Sequence, residues 1–246
     1  MVSVTSQRVI RLPRAFVRVA GPGARDYLQR MLSNDVEALA VGESCEALLL
    51  TAKARVIAPL RVWRRGEDDF LLSTEPELGD RARAELLRSR FAAKAEIERE
   101  QHAAWRVLGG AEVVDERPPG DEVGEEDYER WRIEAAIPRW GADIDDRILP
   151  AEAGLDETHV SFTKGCYPGQ EPIARQHYRG KVNRRLRVLE IDGDAVPGDD
   201  LIHDGKTVGR ITSAVAGLAL AYVRTEVPEN GVLTFAAKPG SARLRR

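Results

Sequence analysis

From Leu186 onward turn signals recur at short intervals: Gly193, Pro197-Gly198, Asp204-Gly205, Asn230-Gly231 and Pro239-Gly240. Glycine takes positive backbone φ without a Cβ penalty and proline removes an amide donor, so a helix cannot run through such punctuation. The apolar residues between the turns are left to form short strands, and short strands at this spacing read as a small antiparallel barrel. Asp204-Gly205 suits a type I′ hairpin turn, whose two central residues both take positive φ. Residues 184–246 are therefore expected to form a barrel domain.

Residues 1–183 mix strand and helix signals. Ala15 to Ala20 alternates as a strand, and Gly21-Pro22-Gly23 breaks the chain before a helix with Ala24, Tyr27, Leu28, Met31 and Leu32 on one face. Asn34 suits the end of that helix. Strands are expected at Glu46 to Leu50, Arg55 to Trp63 and Phe70 to Leu72, with Pro59 marking the second as an edge or bulged strand. Thr74 and Glu77 have the spacing of a capping box, followed by the stripe Leu78, Ala82 and Leu86. Ala95 to Ile97 and Trp105 to Leu108 read as further strands. Gly109 to Glu126, rich in Gly, Pro and acids, reads as a surface linker between two lobes, and Trp131 to Ile137 as extended chain. The class is α+β.

Of the 246 residues, 43% are hydrophobic, enough for a sizeable core. No apolar run reaches the roughly 20 residues of a membrane span, and Arg8, Arg11 and Arg14 interrupt any signal-peptide core, which points to a cytoplasmic protein with no membrane partner. With 37 basic against 40 acidic residues, no global field draws the chain to nucleic acid. Locally, Arg175, Arg179, Lys181, Arg184, Arg185 and Arg187 form a basic block, readable as solvated surface or as an anion site, while Asp121 to Glu129 is acidic. The two cysteines, Cys45 and Cys166, offer neither a disulfide framework nor a metal-ligand spacing, and a self-contained iron-sulfur centre needs about four thiolates.

Lys164-Gly165-Cys166-Tyr167-Pro168-Gly169-Gln170-Glu171 sets a thiol between glycines, beside a lysine and ahead of a helix from Gln170 to about Tyr178, whose first turn tolerates Pro172. A helix N-terminus and a nearby ammonium both favour thiolate, so Cys166 is a candidate reactive cysteine with Lys164 as its cation; burial as an inert thiol is the competing reading. Gln170 and Glu171 can satisfy backbone donors at the helix start. Cys45 reads as a packing residue, and His159 and His177 as surface or capping residues.

This segment resembles the signature of the YgfZ-type folate-binding proteins, relatives of the glycine-cleavage aminomethyltransferases and of mitochondrial iron-sulfur assembly factors. Tyr27 to Val36, Leu50 to Trp63, Trp131 to Pro138, Pro150 to Leu155 and Val208 to Ser213 extend the resemblance over nearly the whole chain. It implies two interleaved α+β lobes of aminomethyltransferase folate-binding type closed by the barrel. It also implies a tetrahydrofolate ligand and a role in iron-sulfur cluster assembly or repair, and so in iron-sulfur-dependent enzymes such as tRNA-modifying ones. Client or assembly proteins are the implied partners.

Glu134 matches the carboxylate that reads the pterin ring, with Arg132 beside it, and Asn34 and Arg175 complete the implied folate contacts; Lys164 or Arg175 could meet the glutamate tail. Gly165, Tyr167, Gly169, Gln170 and Glu171 complete the motif. No metal site is implied.

Where the aminomethyltransferases carry a catalytic aspartate, this chain aligns Ala58 and Pro59, neither of which takes a proton, so conventional aminomethyl transfer is not expected. Two alternatives remain. One is a folate-dependent aminomethyltransferase or demethylase using another acid such as Asp143 or Glu152. The other is an RNA- or protein-binding scaffold using the basic block, with Tyr178 as a stacking group.

Overall fold

The computed structural model describes residues 7–180 and 182–245. Of the basic block, Lys181 and the side chain of Arg179 lie outside the described residues. The chain opens with β1 (Arg8–Leu12) and β2 (Ala15–Ala20), which part company at once. After α1 (Ala24–Met31) come β3 (Ser44–Leu50), β4 (Val56–Arg64), β5 (Asp69–Thr74), α2 (Gly79–Arg88) and β6 (Glu96–Glu100). These strands take β2 into a five-stranded sheet of order β3-β4-β5-β2-β6. β1 instead joins β7 (Ala104–Val107), β8 (Glu112–Val114) and β9 (Asp121–Glu122) in a second sheet of order β8-β7-β1-β9. The two α+β lobes are thus interleaved.

The predicted stripe of α1 and the Leu78, Ala82 and Leu86 stripe of α2 are buried on one face of the five-stranded sheet, against Val17, Val19, Leu60 and Phe70. Full burial of a Leu or Phe side chain stabilises by about 1.5–3 kcal/mol, so this face anchors the first lobe. The other face carries Leu48, Leu50 and Val56 against Leu155, Tyr167 and Ile173 of the later chain.

Three local expectations are corrected, and a fourth is decided between its two alternatives. β4 is an interior strand, not an edge, and it is bulged: Leu49 pairs with Ala58 and Leu50 with Val56, so Ile57 is the extra residue, while β5 pairs with β4 only from Arg61 to Arg64 and leaves Pro59 with one strand neighbour. Thr74 ends β5 and its hydroxyl donates to the Pro59 carbonyl, so the capping box does not form; a 3-10 turn at Pro76–Leu78 leads into α2 instead. The stretch 109–126 is no plain linker: it supplies β8 and β9, and Glu112 is buried. Trp131 to Glu134 is helical, the end of α3 (Glu125–Glu134). Three acids in the first turn of α3 and Arg132 in its last complement the helix dipole, and Tyr128 and Arg132 recur at i, i+4 on its buried face.

α4 (Gln170–Arg179) precedes β10 (Arg184–Asp192), β11 (Asp200–His203), β12 (Lys206–Val215), β13 (Leu218–Arg224), β14 (Val232–Phe235) and β15 (Ser241–Leu244). These six strands close into a barrel, β15 pairing back onto β10. Asp204 and Gly205 join β11 to β12 with φ of 48° and 74°, the left-handed pair expected of a I′ turn. α3 fastens the barrel to the lobes by packing Ile133 on Leu186, Leu218, Leu220 and Tyr222. Beside it, Arg132 and Asp143 form an ion pair of 2.7 Å with both side chains at most 1% exposed.

Candidate functional site

The cysteine loop is held from beneath by its neighbours in the motif. Tyr167 turns inward against the second face of the first sheet, where burial pushes its hydroxyl up to about 12. Gly169 starts α4 with φ of 84°, and a Cβ there would stand 2.7 Å from the Thr51 carbonyl oxygen, so this position requires glycine. Pro172 falls in the first turn of α4, as expected. Gly165 has open space where a side chain would go. Cys166 stands exposed above this support, whereas Cys45 is partly buried on the core with its thiol pushed up to about 11 by burial and by Glu46.

Lys164 has a different task from the one its spacing suggests. Its ammonium is buried and donates to the carbonyls of Gln29 (2.5 Å), Leu32 (2.7 Å) and Asn34 (2.7 Å), which uses all three of its donors. It therefore caps the C-terminal end of α1, where cations complement the helix dipole, and is not free to serve Cys166 or a ligand's carboxylate. Asn34 is likewise engaged, its amide donating to the Glu46 and Thr158 carbonyls while its oxygen accepts from the Asp35 amide. Ser33 completes the stitching by donating to the His159 carbonyl and accepting from the Leu48 amide.

Of the residues that the resemblance implies for folate, Arg132 and Asn34 are spent on the protein itself. Arg132 spends all five N–H groups: two on Glu129, one on Asp143, one on Ser213 and one on the Ile137 carbonyl. Glu134, the last residue of α3, is 41% exposed and lies 3.8 Å from Arg245. Arg175 is exposed on α4. The alternative acids are also engaged. Asp143 accepts from Arg132, Thr212, Ser213 and the Arg139 amide, and Glu152 accepts from Arg184 and the Leu149 amide. In the basic block, Arg184, Arg185 and Arg187 pair with Glu152, Glu157 and Glu229, which answers three of its charges.

A central cleft opens between the two sheets and the 137–159 segment, with Pro59 in its wall. Trp140, Ile144 and Leu155 give it apolar sides, and three arginines cross it: Arg61 paired with Glu46, Arg14 with Glu75 at 2.6 Å, and Arg106 with Glu112 at 3.0 Å. Burial raises the Glu46 carboxyl above its usual range despite Arg61. His159, expected at the surface, lines this cleft, and burial with the nearby Arg61 pulls its imidazole down to about 4. None of the charged residues was singled out from the sequence. The available signal was a charge between apolar neighbours in a strand, as with Leu60-Arg61-Val62.

The cleft measures about 110 Å3. Pockets for drug-sized ligands run to roughly 300–1,000 Å3. Its buried Arg61 and Arg106 Nε groups lack partners and suit an acceptor, but neither Glu134 nor Arg132 lines it. Tetrahydrofolate thus does not fit this cleft as it stands.

Four similarities to known proteins bear on this arrangement. The family described as "CAF17, C-terminal beta-barrel domain" matches residues 183–245. An aminomethyltransferase of Nostoc sp. is 31% identical over 226 residues, 89% of this chain and 51% of that protein. The human mitochondrial iron-sulfur cluster assembly factor IBA57 is 33% identical over 182 residues, 68% of this chain and 48% of that protein. This chain spans about half the length of both relatives. The crystal structure of glycine cleavage system aminomethyltransferase T from Bartonella henselae superposes with a TM-score of 0.85 over 98% of this chain and 86% of that one, at 17% identity, a likeness of fold.

Proposed function

We propose that this chain, which is similar to aminomethyltransferases and to the IBA57 assembly factors and ends in a CAF17-type barrel, serves iron-sulfur cluster assembly through Cys166. The observation that carries the reading is the exposure of that thiol on a rigid platform made by Tyr167 and Gly169. A thiolate is both a nucleophile and an iron ligand. Among the described residues no group of three or more His, Cys, Asp or Glu could hold a metal. On this reading the exposed Cys166 supplies one thiolate ligand to a cluster in transit, and a client or assembly partner supplies the others.

Folate enters the reading through the fold alone. The engaged state of Asp143 and Glu152 disfavours an aminomethyltransferase with a substitute acid.

The test is the rate at which a cysteine desulfurase and scaffold mixture activates apo-aconitase in the presence of this protein. Wild type and Cys45→Ser are expected to stimulate activation and Cys166→Ser to fail. Equal stimulation by wild type and Cys166→Ser sinks the reading. Calorimetry with tetrahydrofolate is expected to give the same isotherm for wild type and Glu134→Ala; binding lost only in the variant restores Glu134 as the pterin carboxylate.

A further inference from the structure

Apart from the central cleft, the protein holds a groove of about 790 Å3 between α1, the turn after α2 and the tip of the β3–β4 hairpin, with Pro168 of the cysteine loop in its wall. Met31, Leu50 and Ile57 give it an apolar floor. Four basic side chains and two acids line it. The acids are spent: Asp26 pairs with Arg30 and Glu85 with Arg88, both at 2.6 Å. The Arg90 side chain makes one hydrogen bond, to the Ala95 carbonyl, and among the described residues no acid pairs with Arg90 or Lys94. Between these two cations Phe91 projects 90% exposed from a backbone at φ of 44°, a conformation a bulky residue rarely adopts. A large apolar side chain is thus presented to solvent at the rim of an apolar groove, beside two uncompensated cations.

We infer that this groove binds an anionic amphipathic small molecule, its aliphatic or aromatic body on the Met31, Leu50 and Ile57 floor and its carboxylate or sulfonate at Arg90 and Lys94. The volume falls within the roughly 300–1,000 Å3 of small-molecule pockets, and an apolar lining with a few convergent polar groups is their usual chemistry. An inorganic anion would leave the floor empty, and a neutral apolar molecule would leave both cations unanswered. The inference does not rest on the iron-sulfur reading.

The test uses the full chain and 8-anilinonaphthalene-1-sulfonate as the probe, followed by fluorescence. Wild type is expected to bind one equivalent saturably, with the probe displaced by laurate but not by dodecanol. The double variant Arg90→Glu/Lys94→Glu, at exposed positions, is expected to weaken the probe by about tenfold or more while changing neutral N-phenyl-1-naphthylamine by less than about twofold. Ala52→Trp, which fills the groove from an exposed lining position, is expected to abolish binding of both dyes. The inference is overturned if charge reversal leaves sulfonate affinity unchanged, if dodecanol competes as well as laurate, or if Ala52→Trp binds like the wild type.

Discussion

Replacing Arg132 with methionine tests the joint between the lobes and the barrel. The guanidinium is 1% exposed and its five N–H groups reach Glu129, Asp143, Ser213 and the Ile137 carbonyl. Methionine matches much of the length and none of the charge. Asp143, fully buried, would keep only the Thr212 and Ser213 hydroxyls and the Arg139 amide. Breaking a buried pair from one side costs about 3–5 kcal/mol, because the stranded charge keeps its desolvation penalty. In a chain of this size 1 kcal/mol moves Tm by about 2–4 °C, so a fall of roughly 6–20 °C is expected. Thermal and urea unfolding of Arg132→Met, Asp143→Leu and the double variant measure it. The double variant, which leaves neither of these charges stranded, is expected to be more stable than Arg132→Met alone. A fall in Tm below about 2 °C for Arg132→Met, or single effects that add to within about 0.5 kcal/mol of the double, would refute the reasoning.

Lys164→Met removes the donor shared by three carbonyls at the end of α1 and is expected to cost about 2–4 kcal/mol in urea unfolding; the labelling rate of Cys166 by a disulfide reagent should change by less than about twofold. A large drop in labelling would return Lys164 to the role of thiolate partner. Gly169→Ala places a Cβ 2.7 Å from the Thr51 oxygen at φ of 84° and should cost about 1–3 kcal/mol by the same measurement; a neutral result would mean the loop is not braced there. His159 is held near 4 in the folded chain against an unfolded value of about 6.5. Its contribution is therefore present above pH 6.5 and lost as pH falls toward 4, up to about 3 kcal/mol, and His159→Gln should flatten that acid limb of a stability profile. An unchanged slope would place the lost stability elsewhere.

Local rules with a steric cause carried through from sequence to fold. Asp204-Gly205 had to be a I′ turn because little else tolerates two left-handed residues between strands, and the recurrence of such turns made the barrel legible. The stripes of α1 and α2, and Pro172 in the first turn of α4, followed from periodicity and from proline's missing donor in the same way. Where a segment's state depended on partners far along the chain, sequence reading failed. Trp131 to Glu134 looked extended until α3 had a barrel to pack on, and Thr74 looked like a cap until the Pro59 carbonyl took its hydroxyl.

The motif divides along the same line. Gly169 and Tyr167 were recognisable from sequence as parts of a cysteine loop, which left Cys166 open between a reactive thiol and an inert buried one; the structure exposes it. That Lys164 turns away to close α1, that Arg132 is saturated, and that Arg14, Arg61 and Arg106 meet three glutamates in one cleft were decided only by tertiary structure. A side chain's chemistry is written in the sequence, but which unsatisfied group it must answer is set by the elements that fold against it.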